Sequence, residues 1–346
     1  MHGKFGDADI KTTTPWRGRR KALWPRYLSG RQRVSAPFWV RSGKFRLPMN
    51  IHVICVPYQL DVARWAYALG PQAFLDQGLG SVCEKAGHRM AKTTYVELPR
   101  KERTRDTVTN LGHIARRTSQ AVADAVQDDG SLAIVLEGDC SHAVGAIGGL
   151  ASDTFGAPGV IWFDAHGDLQ TYATTGTGYV GGMPFAVALG WDLEDWWRAA
   201  GLTTPVRPEA AALIGASDLD PEEVAALENH PIARLDADRL AEAPNRVAEL
   251  LAVRAQEAKS WYLHLDVDVA GPAEVPGGLT PTPNAPSRDV LRAAIRAAAG
   301  AVNVRAVSLA TYNPSSDPDG RGARFGLDML GAMLAGIGDR KSRRRS

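Results

Sequence analysis

The 346-residue sequence is short of three things, and each shortage excludes a class of protein. It has only three cysteines, Cys55, Cys83 and Cys140, with no paired spacing. That rules out a disulfide-stapled scaffold and points to a reducing compartment, the cytoplasm. No apolar run approaches the roughly 20 residues a membrane-spanning helix needs. The N-terminal stretch also lacks the continuous apolar segment of a secretory signal. Net charge is small as well, formally +2, but it is unevenly spread. Residues 1–48 are rich in Lys and Arg, and the chain ends Lys341-Ser342-Arg343-Arg344-Arg345-Ser346. The part between is therefore net acidic, which argues against nucleic-acid binding by the core. A salt-dependent tether through the two basic ends is the one nucleic-acid reading left.

Hydrophobic residues, in contrast, make up 45% of the chain, enough for a sizeable core. Residues 1–48 show no steady period and read as a disordered basic extension. Met49 directly precedes the first strand, so a start at Met49 and a functional extension both account for them. From there strands and helices alternate. Strands are expected at 51–56, 94–98, 132–136, 160–163, 211–215, 261–268 and 304–310. Helices are expected at 62–75, 106–128 with Asp106 as N-cap, 142–150, 183–189, 244–256, 288–299 and about 325–335. This alternation predicts a three-layer α/β/α sandwich around a mostly parallel sheet. One domain over 49–336 and a basic tail over 337–346 complete the organisation.

Chemistry concentrates where strands end. Asp164-Ala165-His166-Gly167-Asp168 follows the apolar run Val160-Ile161-Trp162-Phe163. In open α/β sheets, ligands bind at the carboxyl ends of strands. His264, Asp266 and Asp268 alternate along another strand and so share one face. Burying acids so close together is costly unless a cation lies between them. Four Asp and one His from two strand ends suit two oxygen-loving divalent ions. Asp139-Cys140 and Asp218 to Asp220 end two further strands, so all four clusters should lie along one edge of the sheet.

The segments EGDCS, FDAHGD and LDVDVAGP resemble the three metal motifs of the ureohydrolases (arginases, agmatinases and relatives). In most members these read GGDHS, DAHxD and SxDxDxxDP. The resemblance spans roughly residues 50–336. It implies the arginase-like fold, a centre of two Mn²⁺ ions, a small guanidino substrate, and a homo-oligomer, trimer or hexamer. Carried over by position, Asp164 and Asp266 bridge both ions; Cys140 and Asp168 complete one shell, and His166 and Asp268 the other. A hydroxide held between the ions then attacks the amidino carbon, since two cations acidify a shared water and stabilise the charge that develops. Gln170, Thr175 and Thr177 fall where the family binds an amino-acid carboxylate, and Asp220 and Glu223 where it holds the amino group. Helix capping ahead of Pro221 accounts for Asp220 and Glu223 equally well.

The departures from the family pattern carry information too. Cys140 stands where the first ligand is usually His, with His142 as the alternative ligand two residues on. A thiolate is softer and favours Zn, Fe or Co at that position. The cysteine and the loop TGTGYVGGMP resemble the N-hydroxyarginine hydrolase branch of the family, associated with cycloserine biosynthesis. Gly181 replaces a proton-shuttling His. Thr311, in Ala310-Thr311-Tyr312-Asn313-Pro314, replaces the Glu that pairs with the guanidinium, and Gly271 replaces the third acid of DxDxxD. A cation left without its carboxylate in a closed site binds poorly. A plain arginase is thus disfavoured. The expected activity is C–N hydrolysis of a guanidino or N-hydroxyguanidino compound, an amino acid by preference, releasing urea or hydroxyurea. The alternative is a non-catalytic metal-binding relative on the same scaffold. Among the remaining residues, His264 reads as a pocket residue behind the ligands, with a satisfied core histidine as the alternative, and Cys55 and Cys83 read as structural. His113 reads as a helix-surface or partly buried histidine. The tryptophans of 191–197 read as a subunit contact or a pocket lid.

Overall fold

Strand side chains alternate between the two faces of a sheet, and here both faces are apolar. On β1 (Asn50–Val56), Ile51, Val53 and Cys55 join one core cluster while Ile54 and Val56 join the other. The same split recurs on β5 (Ser131–Glu137), β6 (Gly159–Phe163) and β9 (Trp261–Leu265), all wholly buried. Strands apolar on both faces need a layer of helices on each side. The structure, a computed structural model, describes residues 48–151, 156–278, 282 and 284–343. The basic extension expected over 1–48 lies almost wholly outside the described residues, as do Arg344, Arg345 and Ser346.

The remaining strands are β2 (Tyr58–Gln59) and β3 (Val62–Ala63), which form a small antiparallel pair, and β4 (Arg89–Tyr95), β7 (Ala211–Ile214), β8 (Ala233–Leu235) and β10 (Val304–Leu309). Eight strands make one sheet in the order β4-β1-β5-β10-β9-β6-β7-β8, and every neighbouring pair is parallel. One core cluster packs under the helices Gly70–Asp76, Leu79–Lys85, Arg246–Ala252, Arg288–Ala301 and Arg321–Arg343. The other packs under Thr107–Ala125, Ala143–Leu150, Pro184–Ala188 and Glu194–Ala199. This is the expected three-layer sandwich. As expected, Asp106 caps the helix Thr107–Ala125, accepting from the Thr109 amide at 2.7 Å. No helix among the described residues is long and apolar enough to cross a membrane.

Local boundaries differ in several places. The helix expected over 62–75 is instead the strand Val62–Ala63, a turn at Ala66–Leu69 and a helix from Gly70. Leu60, Arg64 and Ala66 all take positive φ, a conformation that breaks helical continuity and that side-chain periodicity does not signal. The second strand lies at Arg89–Tyr95 rather than 94–98. The last helix, expected over about 325–335, runs from Arg321 to Arg343. Its Gly336 permits close approach: a Cβ there would overlap the Arg296 carbonyl oxygen of the neighbouring helix.

Candidate metal centre

Register sets the site. Phe163 pairs with both Leu265 and Ile214, and Asp266 bridges to Ala310. The residues that follow five adjacent strands therefore emerge side by side: Cys140 after β5, Thr311 after β10, Asp266 after β9, Asp164 after β6, and Asp218 after β7. The four polar clusters do share one sheet edge.

Asp164 sits at the centre and is 1% exposed. Its Oδ1 accepts the His166 amide at 2.8 Å, and its Oδ2 accepts Trp162 Nε1 at 3.0 Å. His166 Nδ1 lies 3.3 Å from Asp164 Oδ1 and 3.3 Å from Asp268 Oδ2. Asp266 and Asp268 come together for a reason other than strand alternation. The strand stops at Leu265, and the Asp266 carboxylate caps the Asp268 amide at 2.8 Å, winding Val267–Val269 into a 3₁₀ turn. Cys140 opens another short turn, Cys140–His142, whose N-cap Asp139 accepts the Ser141 amide at 3.1 Å. The Cys140 sulfur lies 2.8 Å from Asp266 Oδ2 and 4.0 Å from Asp164 Oδ2. His142, the alternative ligand, faces away: its Nε2 is 2.8 Å from the Tyr58 carbonyl oxygen.

Two groups of donors result, and Asp164 belongs to both. One is Cys140, Asp164 and His264; the other is Asp164, His166 and Asp268; within each group the donor atoms lie within 4.8 Å of one another. The electrostatics call for cations. Burial first, then neighbouring carboxylates, push Asp168, Asp266 and Asp268 above the usual carboxylate range. Burial and the charges of Asp266, Asp168 and Asp164 raise the Cys140 thiol likewise. Burial alone lowers His166, but hydrogen bonds to Asp164 and Asp268 override it and lift the imidazole to about 12. Asp168 Oδ2 and Asp268 Oδ1 are buried without a hydrogen-bond partner among the described residues. Orphaned carboxylate oxygens in an acid-rich pocket are what divalent cations satisfy, so the donor set fits metal ions.

The expected substrate residues are spread more widely. Gln170 is buried, and its Nε2 donates to Asp220 Oδ2 at 2.8 Å. Thr175 and Thr177 shape the loop beyond it, Thr175 Oγ1 accepting the Gly178 amide at 3.1 Å and Thr177 Oγ1 the Tyr179 amide at 3.2 Å. Glu223 does the work of a cap and a brace. Its oxygens accept the Asp220 amide at 3.1 Å and the Leu169 amide at 3.0 Å, tying the helix Pro221–Asn229 to the loop that carries Asp168. Thr311 takes φ +64°; its amide donates to the Gly138 carbonyl at 3.1 Å, and its Oγ1 lies 3.4 Å from the Cys140 sulfur.

Sequence reasoning passed over Tyr179. A Cβ at Gly181 would overlap the Tyr179 phenol ring, so the ring fills the space a side chain at 181 would take. Only the identity of a residue two positions away could have signalled it. Trp196 and Trp197 are buried core residues, not a lid. Cys55 and Cys83 are buried free thiols. His113 is half-buried on its helix beside Arg116, with 2.6 Å between Nδ1 and Nη2.

Comparison with known proteins gives the family. The arginase family model matches residues 49–336. The chain belongs to the arginase family. It is 27% identical over 298 residues to the arginase of Bacillus caldovelox, spanning 82% of this chain and 97% of that one. With the arginase of Brevibacillus brevis it shares 28% over 298 residues, at the same coverage. The crystal structure of arginase from Bacillus subtilis superimposes with a TM-score of 0.74 at 25% identity, covering 82% of this chain and 98% of that one. The sheet, its order and the hydrolase scaffold are thus those of the arginase family.

Proposed function

We propose that this arginase-family chain is a metal-dependent amidinohydrolase that cleaves a C–N bond of an N-hydroxyguanidino or guanidino amino acid, releasing hydroxyurea or urea. The observation that carries the reading is that Asp164 belongs to two donor groups at once, the arrangement a bridging carboxylate needs. Two divalent cations, Mn²⁺ or a softer ion beside Cys140, would supply an acidified water and Lewis-acid stabilisation of the developing charge. Asp164 and Asp266 would hold both, Cys140 and Asp168 would complete one, and His166 and Asp268 the other. The remaining residues define what the substrate must be. Thr311 offers a hydroxyl where a cationic guanidinium would need a carboxylate. N-hydroxyguanidines are less basic than guanidinium, so they tolerate that exchange. Gln170, Thr175 and Thr177, with Asp220 and Glu223 behind them, line the loop assigned to the amino-acid end. Thr311 and Gly181 together also favour a second reading, a metal-binding relative without turnover.

Mass spectrometry of products separates the two. The metal-loaded protein is offered arginine, N-hydroxyarginine, agmatine, guanidinobutyrate and formiminoglutamate. Hydroxyurea from N-hydroxyarginine is the expected result. Silence on every substrate with metal bound refutes the proposal and leaves the non-catalytic reading.

A further inference from the structure

His264 is fully buried on β9, with Trp162 against one ring face and a neighbour at each nitrogen. Trp162 stacks on it with ring centroids 3.9 Å apart, and that indole donates to Asp164. On the Nδ1 side, Ser308 Oγ lies at 2.8 Å and Glu137 Oε2 at 3.4 Å. Glu137 is itself fully buried at the end of β5, and Tyr262 donates to its other oxygen at 3.0 Å. Ser308 Oγ is the group at hydrogen-bond distance from Nδ1, which leaves Nε2 to face another neighbour. That neighbour is the Cys140 sulfur, 3.2 Å away. A histidine held through one ring nitrogen and aimed with the other at a cluster of donors is the arrangement that metal-ligating histidines adopt.

We infer that His264 is a direct metal ligand, and that Cys140, His264 and Asp164 form a soft position for Zn²⁺. The position formed by Asp164, His166 and Asp268 is the harder one and suits Mn²⁺. This rests on the proposed reading that the cluster holds metal, and goes beyond it by adding a ligand and splitting the centre into two chemically unequal halves. The distances fit. With Zn–S about 2.3 Å and Zn–N about 2.0 Å, two donors on one tetrahedral ion stand about 3.5 Å apart. Thiolate with imidazole selects zinc over manganese, whereas carboxylate-dominated sets do the reverse. A plain thiol–imidazole hydrogen bond explains the 3.2 Å contact but not the carboxylate oxygen of Asp164 converging on the same point. Glu137, Cys140 and His264 are also three of the positions at which the motifs EGDCS and LHLDVD depart from GGDHS and SxDxD. In space the three departures touch.

Zinc-edge X-ray absorption on protein loaded with one equivalent of Zn²⁺, alongside optical titration with Co²⁺, tests the assignment. The expected shell contains sulfur and imidazole around one ion, and cobalt shows a sulfur charge-transfer band. His264→Ala loses imidazole scattering, keeps sulfur, and binds zinc at least about 100-fold more weakly. Ser308→Ala, which removes the hydrogen bond to Nδ1, keeps both scatterers and loses roughly 10- to 100-fold in affinity. An unchanged sulfur-and-imidazole shell in His264→Ala overturns the inference while leaving a metal in the cluster, so the proposed function survives it. A zinc shell without sulfur overturns both this inference and the ligand role of Cys140. Should His264→Ala fail to fold, the spectrum of His166→Ala decides. Imidazole beside sulfur there supports His264, and an imidazole-free shell overturns it.

Discussion

Gly138 separates the buried Glu137 from the turn that presents Cys140, and the chain has no room there for even a methyl group. A Cβ at 138 would stand 2.6 Å from the Tyr58 carbonyl carbon, closer still to its oxygen, and 3.2 Å from the Ala68 Cα. All are backbone atoms, so no side chain can swing aside. The Gly138 amide also donates to the Val56 carbonyl at 3.0 Å, and its carbonyl accepts the Thr311 amide at 3.1 Å. Gly138→Ala must therefore move β2, or move the turn, by about 1 Å. Overpacking of this kind costs about 3 kcal/mol, the top of the usual range for an added methylene. For a folded region of roughly 300 residues the unfolding entropy is about 0.6 kcal/mol per kelvin, so the loss appears as a fall in Tm of about 5 °C. If it is the turn that yields, Cys140 shifts, and a displacement of about 1 Å at a reacting centre costs on the order of 100-fold in rate. Differential scanning calorimetry and Co²⁺ titration of the same variant give the two readings. Gly130→Ala, where a Cβ meets nothing within 4 Å, is the control and should change stability by no more than about 0.5 kcal/mol. A Gly138→Ala protein as stable as the control, with the cobalt spectrum of the parent, refutes the steric argument.

Cys140→His should shift metal preference from zinc and cobalt toward manganese, read by metal content after loading from an equimolar mixture; unchanged metal count and affinity remove Cys140 from the ligand set. The Cys140 thiol is held protonated and His166 is raised to about 12, so metal uptake must displace their protons. Apparent Co²⁺ affinity should then climb about 10-fold per pH unit for each proton released between about pH 6.5 and 8.5, and a flat profile contradicts this. Burial lifts the Cys83 thiol from 9.0 to about 11. The protonated form is the one the fold favours, so its contribution, about 2–3 kcal/mol, is whole below about pH 9 and fades as pH rises toward 11. Urea unfolding on either side of that window should show a smaller loss in Cys83→Ala than in the parent.

What could be read from the sequence was what depends on local pattern. Strands apolar on both faces announced a covered parallel sheet, and Asp106 announced its helix. Asp164, His166 and Asp168 were recognisable because a loop of ligand-type residues follows a buried strand. Asp266 and Asp268 were grouped correctly on a premise the structure does not share. Their common orientation comes from a carboxylate capping an amide, which sequence alternation cannot distinguish from a longer strand. His264 was placed near the site by strand alternation, but its contact with Cys140 was out of reach, as was the place of Tyr179. Each depends on what lies across the sheet or across a loop: Cys140, 124 residues before His264, and the space above Gly181. Glu223 resolves toward bracing only once the Leu169 amide is seen to reach it.

The two departures that most disfavour a plain arginase are linked through charge. Cysteine in place of histidine adds a negative charge when the residue binds metal. Threonine in place of glutamate at 311 removes one. These positions are neighbours, with Thr311 Oγ1 3.4 Å from the Cys140 sulfur. A glutamate at 311 beside a thiolate and Asp266 would place another anion in a pocket whose acids burial and mutual repulsion already raise. The threonine hydroxyl instead offers a donor to that side of the pocket, and its left-handed backbone, which costs a β-branched residue about 1–2 kcal/mol, sets it there. On the proposed reading, the anion gained at the ligand is offset at the substrate side, which calls for a substrate that brings less positive charge.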